Sequence, residues 1–336
     1  MLKKYNVGII GATGAVGREM ITCLKKLDFP ISNLDLFVSQ KNVGELMKNE
    51  FGKIKLQTFE LEKVKKLDFI LMAVSGDFSH EFAPEIIKGD GVLIDNSSAW
   101  RYDDKIPLII PEINLEQARN KKLIANPNCT TAILDIALWP LEKEFKIKKC
   151  IVSTYQEVSG AVQAAINELE EQSKNYLEKK KVKAEKFAKP IPFNLIPRID
   201  VMTDNGYSKE EMKIVWETRK IFNKKDFNIS CTAVRIPTFR AHAESVTIET
   251  EQKIDPQKAR EILKNASGVE IVDDPEEFYL PMPLTATKKF NIECGRIRQS
   301  LIFGENGLDF FICGDQLLKG AALNAVQIAK GLINLP

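Results

Sequence analysis

Histidine is almost missing from this chain: 336 residues hold two, His80 and His242. The six cysteines, at 23, 129, 150, 231, 294 and 313, form no CxxC pair and no cluster with either histidine. That spacing supports neither a zinc site nor a disulfide framework, so the cysteines read as reduced thiols, most of them small buried apolar groups. An excess of one charge is also lacking. Forty-eight Lys and Arg against 46 Asp and Glu leave a formal net charge of +2, which points to neither nucleic acid nor a membrane surface as a partner. The lysine-rich KKKVKAEK (Lys179 to Lys186) reads as a solvated helix face. No apolar run approaches the roughly 18 residues of a membrane helix, and the one in MLKKYNVGII is too short for a signal segment. A cytosolic protein is expected. Internal repeats and low-complexity linkers are absent too, and the length makes two domains the natural expectation.

What is present begins with alternation. YNVGII, LDLFVS, FILMAVS, GVLIDNS and LIIPEI are short strand-like runs separated by helix-length segments such as REMITCLKKL. That pattern predicts an α/β, Rossmann-like, doubly wound parallel sheet with helices on both faces. After Lys149 the texture changes to longer alternating strands, IVSTYQEV and ESVTIETE, with a hairpin pattern in SLIFGENGLDFFI turning at Asn306 and Gly307. The long amphipathic AVQAAINELEEQSKNYLEKK lies between them, and DQLLKGAALNAVQIAKGL has the apolar spacing of a helix. A second α+β domain with a mostly antiparallel sheet is expected.

Directly after the first strand comes GATGAVG, with Gly11, Gly14 and Gly17 leading into a helical pattern. Such glycines let the backbone turn tightly and approach a pyrophosphate, whose charge is favoured by free N–H groups at a helix N-terminus. The alternative is a tight strand-to-helix turn with no ligand. An NAD site usually adds an acid some 20 residues on, for the ribose 2′-hydroxyl. Here the second strand ends FVSQKNVG, and Ser39, Gln40 and Lys41 stand where that acid belongs. A hydroxyl and a cation suit a 2′-phosphate, so NADP is favoured over NAD; the alternative is that Lys41 is only an exposed loop lysine.

Cys129 ends ANPNCTT and opens an apolar, helix-compatible run. Its sulfur therefore sits near a helix N-terminus, where dipole and unpaired N–H groups stabilise a thiolate or hold an oxyanion. Position alone leaves nucleophile and buried apolar cysteine equally open. RIPTFRAHAES supplies Arg235, Arg240 and His242, and a histidine in that company is either an acid/base or a hydrogen-bonded structural group. His80 has no such company.

These residues now form a set. With NSSAWR (Asn96 to Arg101), YQEVSGA (Tyr155 to Ala161), NLIPRID (Asn194 to Asp200), EEMK (Glu210 to Lys213) and GDQLLKGAALNAVQIA near the end, the chain resembles the aspartate-β-semialdehyde dehydrogenase family over essentially its whole length. The resemblance implies interconversion of L-4-aspartyl phosphate and L-aspartate 4-semialdehyde with NADP(H) and inorganic phosphate, in lysine, threonine and methionine biosynthesis. It implies Cys129 as the nucleophile that carries an acyl-thioester, His242 as acid/base, and Gln156 as the group orienting the carbonyl. Arg235 would grip the substrate α-carboxylate and Glu210 its ammonium, while Arg101, Asn128 and Lys213 would form the phosphate site.

For the cofactor the resemblance implies Gly11, Thr13, Gly14, Ala15 and Val16 at the phosphate loop, and Ser39, Gln40 and Lys41 at the 2′-phosphate. Ser159 and Gly160 would lie beside the nicotinamide, and Gln316 would reach the cofactor where the family usually has asparagine. Lys41 stands where the family commonly has arginine, keeping the charge and losing the fork, and SGAV replaces SGAG. A homodimer is implied, with residues 131–314 as catalytic and dimerisation domain and a C-terminal helix, 315–336, completing an NADP-binding domain of residues 1–130. Two other readings remain: a reductase like that for N-acetyl-γ-glutamyl phosphate, whose acetylated amine gives Glu210 no cation, and a non-catalytic NADP-binding scaffold.

Overall fold

The computed structural model describes residues 3–158, 163–274 and 276–335. The chain divides into two compact units, Met1–Asn128 with Gly320–Pro336, and Cys129–Lys319. Ser159 and Gly160 lie outside the described residues.

The first unit runs β1 (Tyr5–Ile10), α1 (Ala15–Lys26), β2 (Ile31–Val38), β3 (Leu46–Asn49), β4 (Gly52–Lys55), β5 (Gln57–Thr58), α2 (Leu61–Val64), β6 (Phe69–Met72), α3 (Gly76–Ile86), β7 (Val92–Asp95), α4 (Pro111–Asn114) and β8 (Leu123–Ala125). Six strands pair in parallel in the order β5-β2-β1-β6-β7-β8, and β3 with β4 forms a separate antiparallel ribbon. β6 is buried at every position because helices cover both faces of the sheet. α1 turns Met20, Ile21, Cys23 and Leu24 inward, and the C-terminal helix Leu323–Asn334 packs against it. The chain leaves β1 towards β2 on one side and later returns to β6 on the other, so the C-terminal end of β1 is the switch point where such sheets bind ligands.

LIIPEI is not a strand. Leu108 makes a single bridge to Ala125, and Pro111 starts α4, so the sixth strand is instead the three-residue β8. Proline lacks the N–H a ladder needs and fits the first turn of a helix.

The second unit runs α5 (Cys129–Phe145), β9 (Ile147–Gln156), α6 (Gln163–Leu177), α7 (Lys209–Ile221), β10 (Asn228–Arg235), β11 (His242–Thr250), α8 (Pro256–Lys264), β12 (Val269–Ile271), α9 (Pro283–Ala286), β13 (Ile292–Gln299) and β14 (Gly307–Gly314). Its sheet order is β10-β9-β11-β14-β13-β12, antiparallel through the centre and parallel at the two outermost pairings. Along β9, Cys150, Val152, Thr154 and Gln156 point to the buried face, while Ile151 on the other is 48% exposed.

Two details differ from the sequence pattern. The arms of the hairpin are β13 and β14, and the connection spans Ser300 to Asn306. Leu301 and Ile302 therefore lie in the loop, 98% and 78% exposed, and Gly304 takes the positive φ of 54° that the turn requires. The lysines of KKKVKAEK are solvated but not helical: α6 ends at Leu177, and Lys179 adopts a left-handed φ of 55° that stops it.

Candidate active site

α5 begins at Cys129, and the loop before it is held by amide side chains within the first unit. Asn126 Nδ2 donates to Asn96 Oδ1 (3.0 Å) and Ala321 O (3.3 Å), and Asn324 Nδ2 donates to Asn126 Oδ1 (2.7 Å). Arg101 is buried, with Nη2 donating to Asn96 O at 2.8 Å, and Asn128, the residue before Cys129, is also buried. Asn126 therefore anchors the loop at the end of the first unit, a role that sequence reasoning did not assign.

Strand register assembles the rest in the second unit. Arg235, at the end of β10, pairs with Gln156 at the end of β9. Ala243 pairs with Tyr155, which brings His242, the first residue of β11, to the same end of the sheet. Gly314 lies opposite His242; a Cβ there would meet Ile133 Cγ1 at 3.0 Å, so its absence lets α5 approach the sheet. The outcome is a contact of 3.2 Å between Cys129 Sγ and His242 Nε2.

Around this pair lies a charged network. Gln156 Nε2 donates to Glu210 Oε1 (3.2 Å), and Lys213 Nζ bridges Glu210 Oε2 (2.8 Å) and Asp200 Oδ2 (2.9 Å). Glu210 lies in the first turn of α7, which a capping box between Ser208 and Glu211 fixes in place. Arg235 Nη1 donates to the backbone oxygen of Glu157. Gln316 is buried, and its Oε1 accepts from Ala241 N at 2.8 Å, so its carbonyl supports the residue before His242.

Burial sets the charge states. Desolvation, with Arg235 second and Glu210 opposing, pulls His242 down to about 3, which leaves the imidazole neutral at pH 7. A neutral ring presents Nε2 to the thiol as a proton acceptor, and the burial that keeps it neutral also makes it a weak base until an opposing negative charge stabilises the imidazolium. Desolvation also lowers Arg235, against the pull of Glu157 and Glu210. For Lys213 burial works against the charge, but Glu210 and Asp200 outweigh it and the pKa rises. The thiols of Cys150, Cys231, Cys294 and Cys313 are pushed up by burial, which makes them inert, whereas Cys129 is the one partly exposed cysteine. Among the described residues no group of three or more His, Cys, Asp or Glu is placed to hold a metal ion. Nor is any helix among them long and apolar enough to cross a membrane.

Thr13 and Gly14 form the β1–α1 turn in the first unit. Gly11 has φ 88°, and a Cβ there would meet Ala73 O at 2.3 Å, so only glycine makes this turn. Gly14 is the N-cap of α1; no side chain caps its end and no acid stands in its first turn, where Ala15 and Val16 offer backbone N–H groups. These features fit a pyrophosphate. Ser39, Gln40 and Lys41 follow β2, whose Phe37 O accepts from Gly11 N and Ala12 N. Asp35, the nearest acid on β2, is engaged by Asn33, Gln57 and Lys63.

Residues missed from sequence are Glu157, Asp200 and Asn126. Asp200 stands 13 positions before Lys213 in sequence, and Glu157 reaches His242 only through the pairing of β9 with β11. Neither distance along the chain signals the contact.

Comparison with known proteins adds independent findings. Residues 6–121 match the model described as semialdehyde dehydrogenase, NAD binding domain, and residues 138–319 match semialdehyde dehydrogenase, dimerisation domain. The chain is 43% identical to the aspartate-semialdehyde dehydrogenase of Aquifex aeolicus, covering 98% of each chain. The enzyme of Synechocystis sp. is also 43% identical, over 99% of this chain and 98% of its own. A crystal structure of aspartate semialdehyde dehydrogenase II from Vibrio cholerae, complexed with ASA, superposes with a TM-score of 0.94 at 37% identity, over 99% of both chains.

Proposed function

The chain belongs to the aspartate-semialdehyde dehydrogenase family, and from that premise we propose that it makes L-aspartate 4-semialdehyde from L-4-aspartyl phosphate through a thioester on Cys129. The observation that carries this reading is the 3.2 Å contact of Cys129 Sγ with His242 Nε2 at the start of α5. His242 takes the thiol proton, and Sγ attacks the acyl carbon. The S–C bond forms as the carbonyl pair moves to oxygen, and that oxyanion faces N–H groups at the helix start. Collapse expels phosphate and leaves the thioester. NADPH, when bound, supplies the hydride that reduces the thioester carbon. His242 then returns its proton as the S–C bond breaks and the aldehyde leaves.

Arg235 carries a planar fork suited to the substrate α-carboxylate, and Glu210 offers charge to its ammonium. Lys213, Arg101 and Asn128 are the phosphate ligands in this reading, and Gln156 orients the reacting carbonyl. The free first turn of α1, the engaged Asp35 and the exposed Lys41 support NADP over NAD. A homodimer and a cytoplasmic site of action complete it; the match to a dimerisation domain and the half-exposed outer face of β9 support the former.

Glu210 sets this reading apart from an N-acetylated substrate. The test compares the two aldehydes in the oxidative direction: aspartate semialdehyde must be oxidised with phosphate present, and N-acetylglutamate semialdehyde must be the far poorer substrate. The reverse order overturns the assignment.

A further inference from the structure

The catalytic pair has a third neighbour. Glu157 follows the last residue of β9 and is fully buried, and its Oε1 lies 3.8 Å from His242 Nδ1. That nitrogen is itself buried and has no hydrogen-bond partner among the described residues, while Nε2 on the opposite side of the ring meets Cys129 Sγ at 3.2 Å. The backbone on either side of Glu157 is pinned: Ile236 N donates to Gln156 O at 2.9 Å and Val158 N to Thr238 O at 3.0 Å. Arg235 Nη1 donates to the oxygen of Glu157 itself. The carboxyl is thus held beside the imidazole by the same segment that leads into His242.

We propose that Glu157 is a positioning residue that makes the Cys129–His242 pair into a three-membered relay. Its carboxylate keeps the ring proton on Nδ1, leaves Nε2 bare for the thiol, and stabilises the imidazolium formed as sulfur attacks. This rests on the reading of Cys129 as the acyl-carrying nucleophile. The separation of 3.8 Å exceeds a hydrogen bond, and a small ring movement closes it once the imidazole gains charge; catalytic contacts of this kind tighten in the reacting complex. The proton moves from Sγ to Nε2 and later to the departing thiolate. Glu157 takes up none, which is the division of labour in other nucleophile–histidine–carboxylate sites. Arg235 and Glu210 also face the ring, so the carboxylate of Glu157 opposes Arg235 in its effect on the imidazolium.

The chain has only two histidines, so the ¹⁵N imidazole spectrum of the intact wild-type enzyme resolves His242 from His80. At pH 7 the proton should sit on Nδ1 of His242; a proton on Nε2 overturns the proposal without any variant. In Glu157→Gln the side-chain amide can donate to Nδ1 and reverse the tautomer, so kcat should fall about 10²–10⁴-fold. KM should change little, and alkylation of Cys129 by iodoacetamide, followed by mass spectrometry, should slow at least tenfold. Glu157→Asp should recover part of kcat. A loss confined to KM, with kcat and alkylation unchanged, would show that the Glu157 carboxylate serves only to offset the charge of Arg235, since its backbone bond to Arg235 survives the substitution. Alkylation and tautomer need no substrate: if both shift as stated while aspartate semialdehyde is not oxidised, the relay stands and the functional reading falls.

Discussion

Replacing Gln316 by methionine separates two roles for that residue, because methionine keeps the volume and removes the acceptor. Gln316 Oε1 accepts from Ala241 N at 2.8 Å, and both residues are buried. Ala241 has φ 73°, a left-handed conformation that costs an L-residue about 1–2 kcal/mol. Without its acceptor the Ala241 N–H is buried and unpaired, a further cost of about 1–3 kcal/mol. For a domain of this size each kcal/mol lowers Tm by about 2–4 °C, so differential scanning calorimetry should show a fall of roughly 2–12 °C.

The chain has a way to relieve that cost: Ala241 leaves the left-handed region and carries His242 with it. A misplacement of about 1 Å costs about 10² in rate, so kcat should fall 10- to 100-fold while KM for NADP changes less than about threefold. An unchanged Tm and kcat with a raised KM for NADP would refute this and assign Gln316 to the cofactor.

Arg235→Lys removes the bond to Glu157 O and the planar fork. One charged hydrogen bond is worth about 1.5–3 kcal/mol, so kcat/KM for aspartate semialdehyde should fall about 10- to 150-fold, mainly through KM; an unchanged KM contradicts the assignment. Stability against pH follows two opposite rules. His242 is held at about 3 by burial and Arg235, below its ordinary 6.5, so the unfolded chain takes up a proton that the native state refuses and stability is lost as pH falls below about 6.5. Glu244 and Asp135 are raised by burial, so the native state keeps protons that the unfolded chain releases, and stability is lost as pH rises above their ordinary values. Urea midpoints from pH 4 to 9 should show Glu244→Gln gaining on the parent as pH rises, by up to about 1.4 kcal/mol per pH unit. A gain independent of pH contradicts a protonated Glu244.

Local chemistry was the legible part of the sequence. The glycine turn and the cysteine at a helix start each depend on a few neighbouring residues, and both stand where the pattern put them. LIIPEI failed because its apolar content matches a strand while its proline starts α4. SLIF failed because an apolar run next to Gly-Glu-Asn-Gly reads as a hairpin arm, although its Leu301 and Ile302 are exposed in a loop between two strands. The approach of Gln156 to Glu210, 54 positions away, and of Cys129 to His242, 113 positions away, arises from strand register and helix packing. No periodicity carries that information; the resemblance named those partners, and it did not name Glu157.

The central claim is that Cys129 holds the acyl group until phosphate takes it. Mixing enzyme, NADP and aspartate semialdehyde without phosphate in a stopped-flow cell tests it directly. The account predicts a burst of about one NADPH per active cysteine, an acyl adduct on Cys129 by mass spectrometry, and steady turnover only after phosphate is added. Cys129→Ala should give no burst. Steady turnover without phosphate, or a burst with no adduct on Cys129, would contradict the thioester.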